Sequence, residues 1–135
     1  MIKRALIALA TAFVATTALP AQAAPSPTTF YVYDANIYVS EQTQLVDGQV
    51  NWVVRDAATH HLVAWSNPQD SASQAWSLDN VLGPGASYSR TFATTGNYYF
   101  RDADRSEIVE KTYSWAPGRV FVVCQGACGR LTIRN

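Results

Sequence analysis

Leu82-Gly83-Pro84-Gly85-Ala86-Ser87-Tyr88-Ser89-Arg90-Thr91-Phe92 joins a tight turn to a strand. Gly83-Pro84-Gly85 is turn chemistry, with a proline that presets φ and glycines that tolerate positive φ. Tyr88 and Thr91-Phe92 then read as parts of a half-buried strand. The same grammar extends outward in both directions. Short Val-, Tyr-, Trp-, Phe- and Thr-rich segments run over Phe30–Tyr33, Ile37–Val39, Val50–Val54, His61–Trp65, Tyr98–Phe100, Val109–Trp115, Val120–Val123 and Leu131–Ile133. Asp47-Gly48, Asn67-Pro68, Thr95-Gly96-Asn97 and Pro117-Gly118 punctuate them. In Val50–Val54 the even positions face one way, and Asn51 and Val53 the other. No segment after the amino-terminal region keeps a helical period, and there is no internal repeat. Many short strands at this spacing predict an all-β sandwich or Greek-key barrel, with most Trp and Tyr in its core.

The amino terminus has a different composition. Lys3 and Arg4 precede an uncharged apolar run, Ala5 to Leu19, then Pro20 and the small-x-small triplet Ala21-Gln22-Ala23. This is the pattern of a cleavable secretory signal over residues 1–23. The run is shorter than the about 20 apolar residues a spanning helix needs, so no membrane span is expected after cleavage. Residues 24–29 read as a loose Pro/Ser/Thr leader, and 30–135 as one domain. The expected location is secreted, periplasmic or extracellular. Ten basic residues balance ten acidic ones, and loss of Lys3 and Arg4 leaves the mature chain mildly acidic. That balance argues against a nucleic-acid partner. The two cysteines, Cys124 and Cys128, are expected to form a disulfide in an oxidising compartment. A straight strand would hold them too far apart, so Gln125-Gly126-Ala127 is expected to turn.

With these segments in place, the chain resembles the cupredoxins, the blue-copper β-sandwich family. Gly48-Gln49-Val50-Asn51-Trp52 resembles the strand before the first copper ligand, and His60-His61-Leu62-Val63 the segment that delivers that histidine. The Leu82–Phe92 stretch and Gly96-Asn97-Tyr98-Tyr99-Phe100 resemble the two strands that follow. The resemblance implies a cupredoxin-like Greek-key sandwich of seven to ten strands, with an extra hairpin between Ser106 and Gln125 near the ligand loop. It also implies that the ligand set is degraded. Asp102 stands where the family has its thiolate, Arg105 where it has its second histidine, and Ala127 where it has its axial methionine. A blue-copper centre needs that thiolate, and a hard carboxylate oxygen does not replace it in electron transfer.

Two functional readings follow. The first is a secreted binding or interaction module with no cofactor, acting on an unidentified protein or envelope partner. The second is an envelope copper-binding or copper-handling protein. It would hold copper or zinc through His60 with Asp102, or through the Cys124/Cys128 pair. His61 is the other histidine candidate, but neighbouring strand residues point to opposite faces and the spacing from Trp52 favours His60. In the plainer reading Asp102 pairs with Arg101 or Arg105. Catalysis is not expected: the histidines are adjacent, and no Ser or Cys has a nucleophile context. The mixed charges of Asp102, Asp104, Glu107 and Glu110 with Arg101, Arg105 and Lys111 read as a solvated hairpin.

Overall fold

The computed structural model describes residues 25–135, so the expected signal segment and the first leader residue lie outside it. Nine strands follow in chain order: β1 (Thr28–Val32), β2 (Ile37–Tyr38), β3 (Glu41–Leu45), β4 (Val50–Val54), β5 (His60–Trp65), β6 (Asp79–Leu82), β7 (Ser87–Arg90), β8 (Gly96–Thr112) and β9 (Val120–Arg134). β1 begins two residues inside the expected leader. The strands form two sheets in the orders β2-β1-β4-β7 and β3-β9-β8-β5-β6. Pairing is parallel for β1 with β4 and for β3 with β9, and antiparallel for the other ladders. Among the described residues no helix is long and apolar enough to cross a membrane.

Alternation builds the core. β1 turns Phe30 and Val32 inward, and β4 turns Val50, Trp52 and Val54 inward against Phe100, Leu131 and Ile133 of the other sheet. The Trp52 indole is fully buried among five aromatic rings: Phe30, Trp76, Tyr88, Phe92 and Phe100, with centroids 5.4–6.5 Å away. Offset and edge-on contacts of this kind add to the area term. Gly129 on β9 makes room for the Phe100 ring, which a Cβ at that position would strike.

Two strands, β3 and β6, lie outside the segments that the sequence pattern marks. β3, Glu-Gln-Thr-Gln-Leu, has no apolar alternation because its inward side chains are amides. Gln42 Nε2 donates to Thr29 O (2.6 Å), and Gln44 Nε2 donates to Ser26 O (2.8 Å) and Gln49 O (2.9 Å). These bonds tie the edge of one sheet to the other, where a typical strand would use apolar packing. β6 is a four-residue edge strand whose Val81 points to solvent.

The expected extra hairpin is present, as the outer halves of β8 and β9. The ladder slips between Arg101 and Ser106, where four residues of β8 stand opposite Ala127 alone. This bulge carries Asp102 and Arg105. Beyond it, Ser106–Thr112 pairs with Val120–Gly126 as a two-stranded arm. Its tip is a cluster of Tyr113, Trp115 and Phe121, with the Arg119 guanidinium over the Phe121 ring.

The expected disulfide joins Cys124 to Cys128. The chain bends sharply between them at Gly126, as expected, inside the continuous strand β9 and opposite the β8 bulge. Gly126 takes φ 98° and brings the two Cα atoms to 6.2 Å, where extended chain would hold them about 13 Å apart. A Cβ at Gly126 would strike Arg105 O, so that position requires glycine for two reasons.

Candidate functional site

The end of the sandwich where the ligand residues were expected is built on β5, the β8 bulge and two loops. His60 is the first residue of β5 and points inward, in phase with Leu62. Asp102 points inward from β8, in phase with Tyr98 and Phe100, and pairs across the ladder with Leu62. Both side chains are fully buried.

They meet directly. His60 Nδ1 lies 2.6 Å from Asp102 Oδ2, and His60 Nε2 lies 2.7 Å from Oδ1 of Asp56 in the β4–β5 loop. Ionised carboxylates only accept, so both contacts are satisfied when each ring nitrogen carries a proton. Arg105 closes the network from the bulge. Its Nη1 donates to Asp102 Oδ2 (3.2 Å) and to Thr59 O (2.9 Å), and its Nε donates to Asp34 Oδ1 (3.0 Å). The other oxygen of Asp102 accepts from the backbone N–H of Asp104 (3.1 Å) and of His61 (3.4 Å). Ser106 Oγ donates to the Asp102 carbonyl. The His60 hydrogen bond, helped by the Ala58 N–H, holds the Asp56 carboxyl below the usual range against the opposing effect of burial. Ion pairing to Asp34 and Asp102 raises Arg105.

His61 points to the opposite face, as the alternation requires, and its Nε2 pairs with the exposed Asp79. It takes no part in the buried network. Of the two expected partners for Asp102, Arg105 makes the ion pair; Arg101 instead donates to Ser106. Asp56 and Asp34 were not foreseen. Asp56 lies four residues before His60, the only local signal of its role, and nothing in the sequence marks Asp34.

No family model and no curated protein matches this chain. Solved structures do. The chain superposes on an amicyanin variant in its reduced Cu(I) form at pH 4, with a TM-score of 0.53 over 84% of this chain and 88% of that one, at 15% identity. A second amicyanin variant, with Cu(I), gives 0.54 over 82% and 92% at 14% identity. An oxidised variant gives 0.53 over 82% and 92% at 13% identity. The fold is that of amicyanin, a cupredoxin.

The amicyanin fold raises the question of copper, and the residues at this end do not fit it. The donor set lacks a thiolate, since Cys124 and Cys128 are joined to each other. His60 and Asp102 are in direct hydrogen-bond contact, whereas two tetrahedral ligands at 2.0–2.1 Å from one metal stand about 3.3 Å apart. The Arg105 guanidinium already supplies the positive charge beside Asp102, and a second cation there would meet like-charge repulsion. Among the described residues no three His, Cys, Asp or Glu side chains form a group able to hold a metal ion. The cysteine pair, one of the two expected metal sites, is thus corrected to a structural bridge. His60 with Asp102 is a buried, directly hydrogen-bonded pair.

Proposed function

We propose that this chain is a cupredoxin-fold binding module that works outside the cytoplasm, without copper and without catalysis. The observation that carries this reading is the network His60–Asp102–Arg105, which fills the copper end with groups that satisfy one another. With both ring nitrogens of His60 and both oxygens of Asp102 engaged, the set ties β5, the β8 bulge and the β4–β5 loop together and leaves neither residue free to bind a metal. The amino-terminal signal pattern and the disulfide both suit an oxidising compartment.

The test is a titration of the purified chain with copper and with zinc, followed by melting temperature and visible absorption. A ligand that binds only the folded state must raise the melting temperature by mass action. The expected result is colourless protein whose transition moves by less than about 1 °C at tenfold metal excess. Micromolar or tighter binding that disappears in His60→Ala or Asp102→Ala would replace this reading with metal handling.

A further inference from the structure

The outer face of the five-stranded sheet carries a groove, on the opposite face from the inward-pointing His60 and Asp102. We propose that it is a binding site for a neutral sugar, a pyranose unit held between the sheet and the arm. This rests on the binding-module reading above and gives that module its site.

The ladder registers place Glu41, Arg130, Tyr99 and Trp65 in one row across β3, β9, β8 and β5. All four belong to the phase that points away from the core. Trp65 and Tyr99 stand 5.1 Å apart, centroid to centroid, with their planes inclined by 58°, and form the aromatic side of the groove. The arm leans back over this row. Gln69 Nε2 donates to Val120 O (3.1 Å), clasping the loop after β5 to the far end of the arm. Val123 and the Cys124–Cys128 bridge form the facing wall. The groove is open to solvent, and its volume is about 390 Å³, within the range of about 300–1,000 Å³ for small-molecule sites. The loop itself is anchored by Asp70, which accepts from Tyr99 Oη (2.6 Å), Asn97 Nδ2 (2.7 Å) and Ala72 N (2.9 Å). Those three bonds, the Tyr99 hydroxyl first, hold the Asp70 carboxyl below its usual range.

The lining selects the ligand by chemistry. Arg130 Nη2 is 3.2 Å from Glu41 Oε2, so the two charges in the row offset each other, and an ionic ligand would have to break that pair. A purely apolar ligand would strip water from Asn67, Gln69 and Arg130 without replacing their hydrogen bonds. The Trp65 and Tyr99 rings stand beside those polar groups, so the fitting ligand combines an apolar face with oxygens that can hydrogen-bond. A pyranose meets all three conditions. It offers a C–H face for an aromatic ring, hydroxyls that both donate and accept, and no net charge.

The experiment titrates the purified chain with maltose, cellobiose and N,N′-diacetylchitobiose, reading tryptophan indole NMR shifts and calorimetry. At least one sugar is expected to bind saturably, with the Trp65 indole among the shifted resonances. Trp65→Ala should weaken binding at least about tenfold, or about 1.4 kcal/mol. Gln69→Ala should weaken it about threefold, and Trp115→Ala, at the arm tip outside the lining, should leave it unchanged. Gln69 is exposed, so its variant keeps the test decisive if Trp65→Ala fails to fold. Absence of saturation with all three sugars, or undiminished binding in both Trp65→Ala and Gln69→Ala, overturns the proposal. That failure alongside indifference to copper sinks only the sugar site, whereas metal binding at His60 sinks the binding-module reading itself.

Discussion

Trp52 at the centre of the sandwich and the His60–Asp102 pair at its end are equally sealed from water, and they reach that state by opposite means. Trp52 sits among five aromatic rings and gains from removing apolar area, a non-directional effect that tolerates imprecise neighbours. His60 and Asp102 bury polar atoms that would cost several kcal/mol if unpaired, so each contact depends on position and direction. The fold is shared with amicyanin at 13–15% identity, as a core governed by apolar pattern and volume allows. The polar end depends on particular partners, because directional contacts work as a set. Asp102 is a buried carboxylate that needs donors, and His60, Arg105 and two backbone N–H groups supply them.

Three measurements bear on that comparison, the largest effect first. Trp52→Ala should cost about 5 kcal/mol in urea unfolding, the upper end for a large aromatic, since five rings lose a neighbour. A cost near 1 kcal/mol would mean that the centre is not the fold's main support.

Asp102→Ala should cost about 3 kcal/mol, because it strands the buried His60 ring, while Arg105 still reaches water. The double replacement His60→Leu with Asp102→Leu should recover to within about 1 kcal/mol of the parent, since apolar groups of similar size can substitute for a buried pair. If the double variant is as unstable as Asp102→Ala, the end is held by shape and not by pairing.

The smallest effect is the acid limb of stability. Asp56 has a lowered folded pKa, chiefly through its bond to His60. Its contribution is therefore complete above the ordinary carboxylate value of about 4 and is lost as pH falls through the lower folded value. Asp56→Asn should flatten this limb in unfolding midpoints measured from pH 6 to pH 2. An unchanged limb would locate the acid sensitivity at other carboxylates.

The strands with one apolar face were legible residue by residue. Val50–Val54 reads as alternating, and β4 buries Val50, Trp52 and Val54 as that alternation demands. β3 was illegible because its inward positions are Gln42 and Gln44, which bond to backbone carbonyls of the facing sheet. Propensity and periodicity register hydrophobic faces and pass over polar ones. At the site, alternation separated His60 from His61 and the resemblance singled out Asp102. The contact of Asp102 with His60, 42 positions away, exists only through the β5–β8 register. The cysteine pairing and the bend at Gly126 were both legible, because a four-residue bridge cannot close across extended chain; that the bend sits inside one continuous strand, opposite the β8 bulge, was not.

The sequence by itself determined the all-β class, the apolar core phase and the extra hairpin, because each is local in the chain. Only the tertiary structure decided what Asp102 pairs with, that Asp34 and Asp56 join the same end, and that Glu41, Arg130, Tyr99 and Trp65 share one row beneath the arm. The physical reason is register. A β-sheet brings together residues tens of positions apart, and one bulge, as at Arg101–Ser106, changes which of them meet.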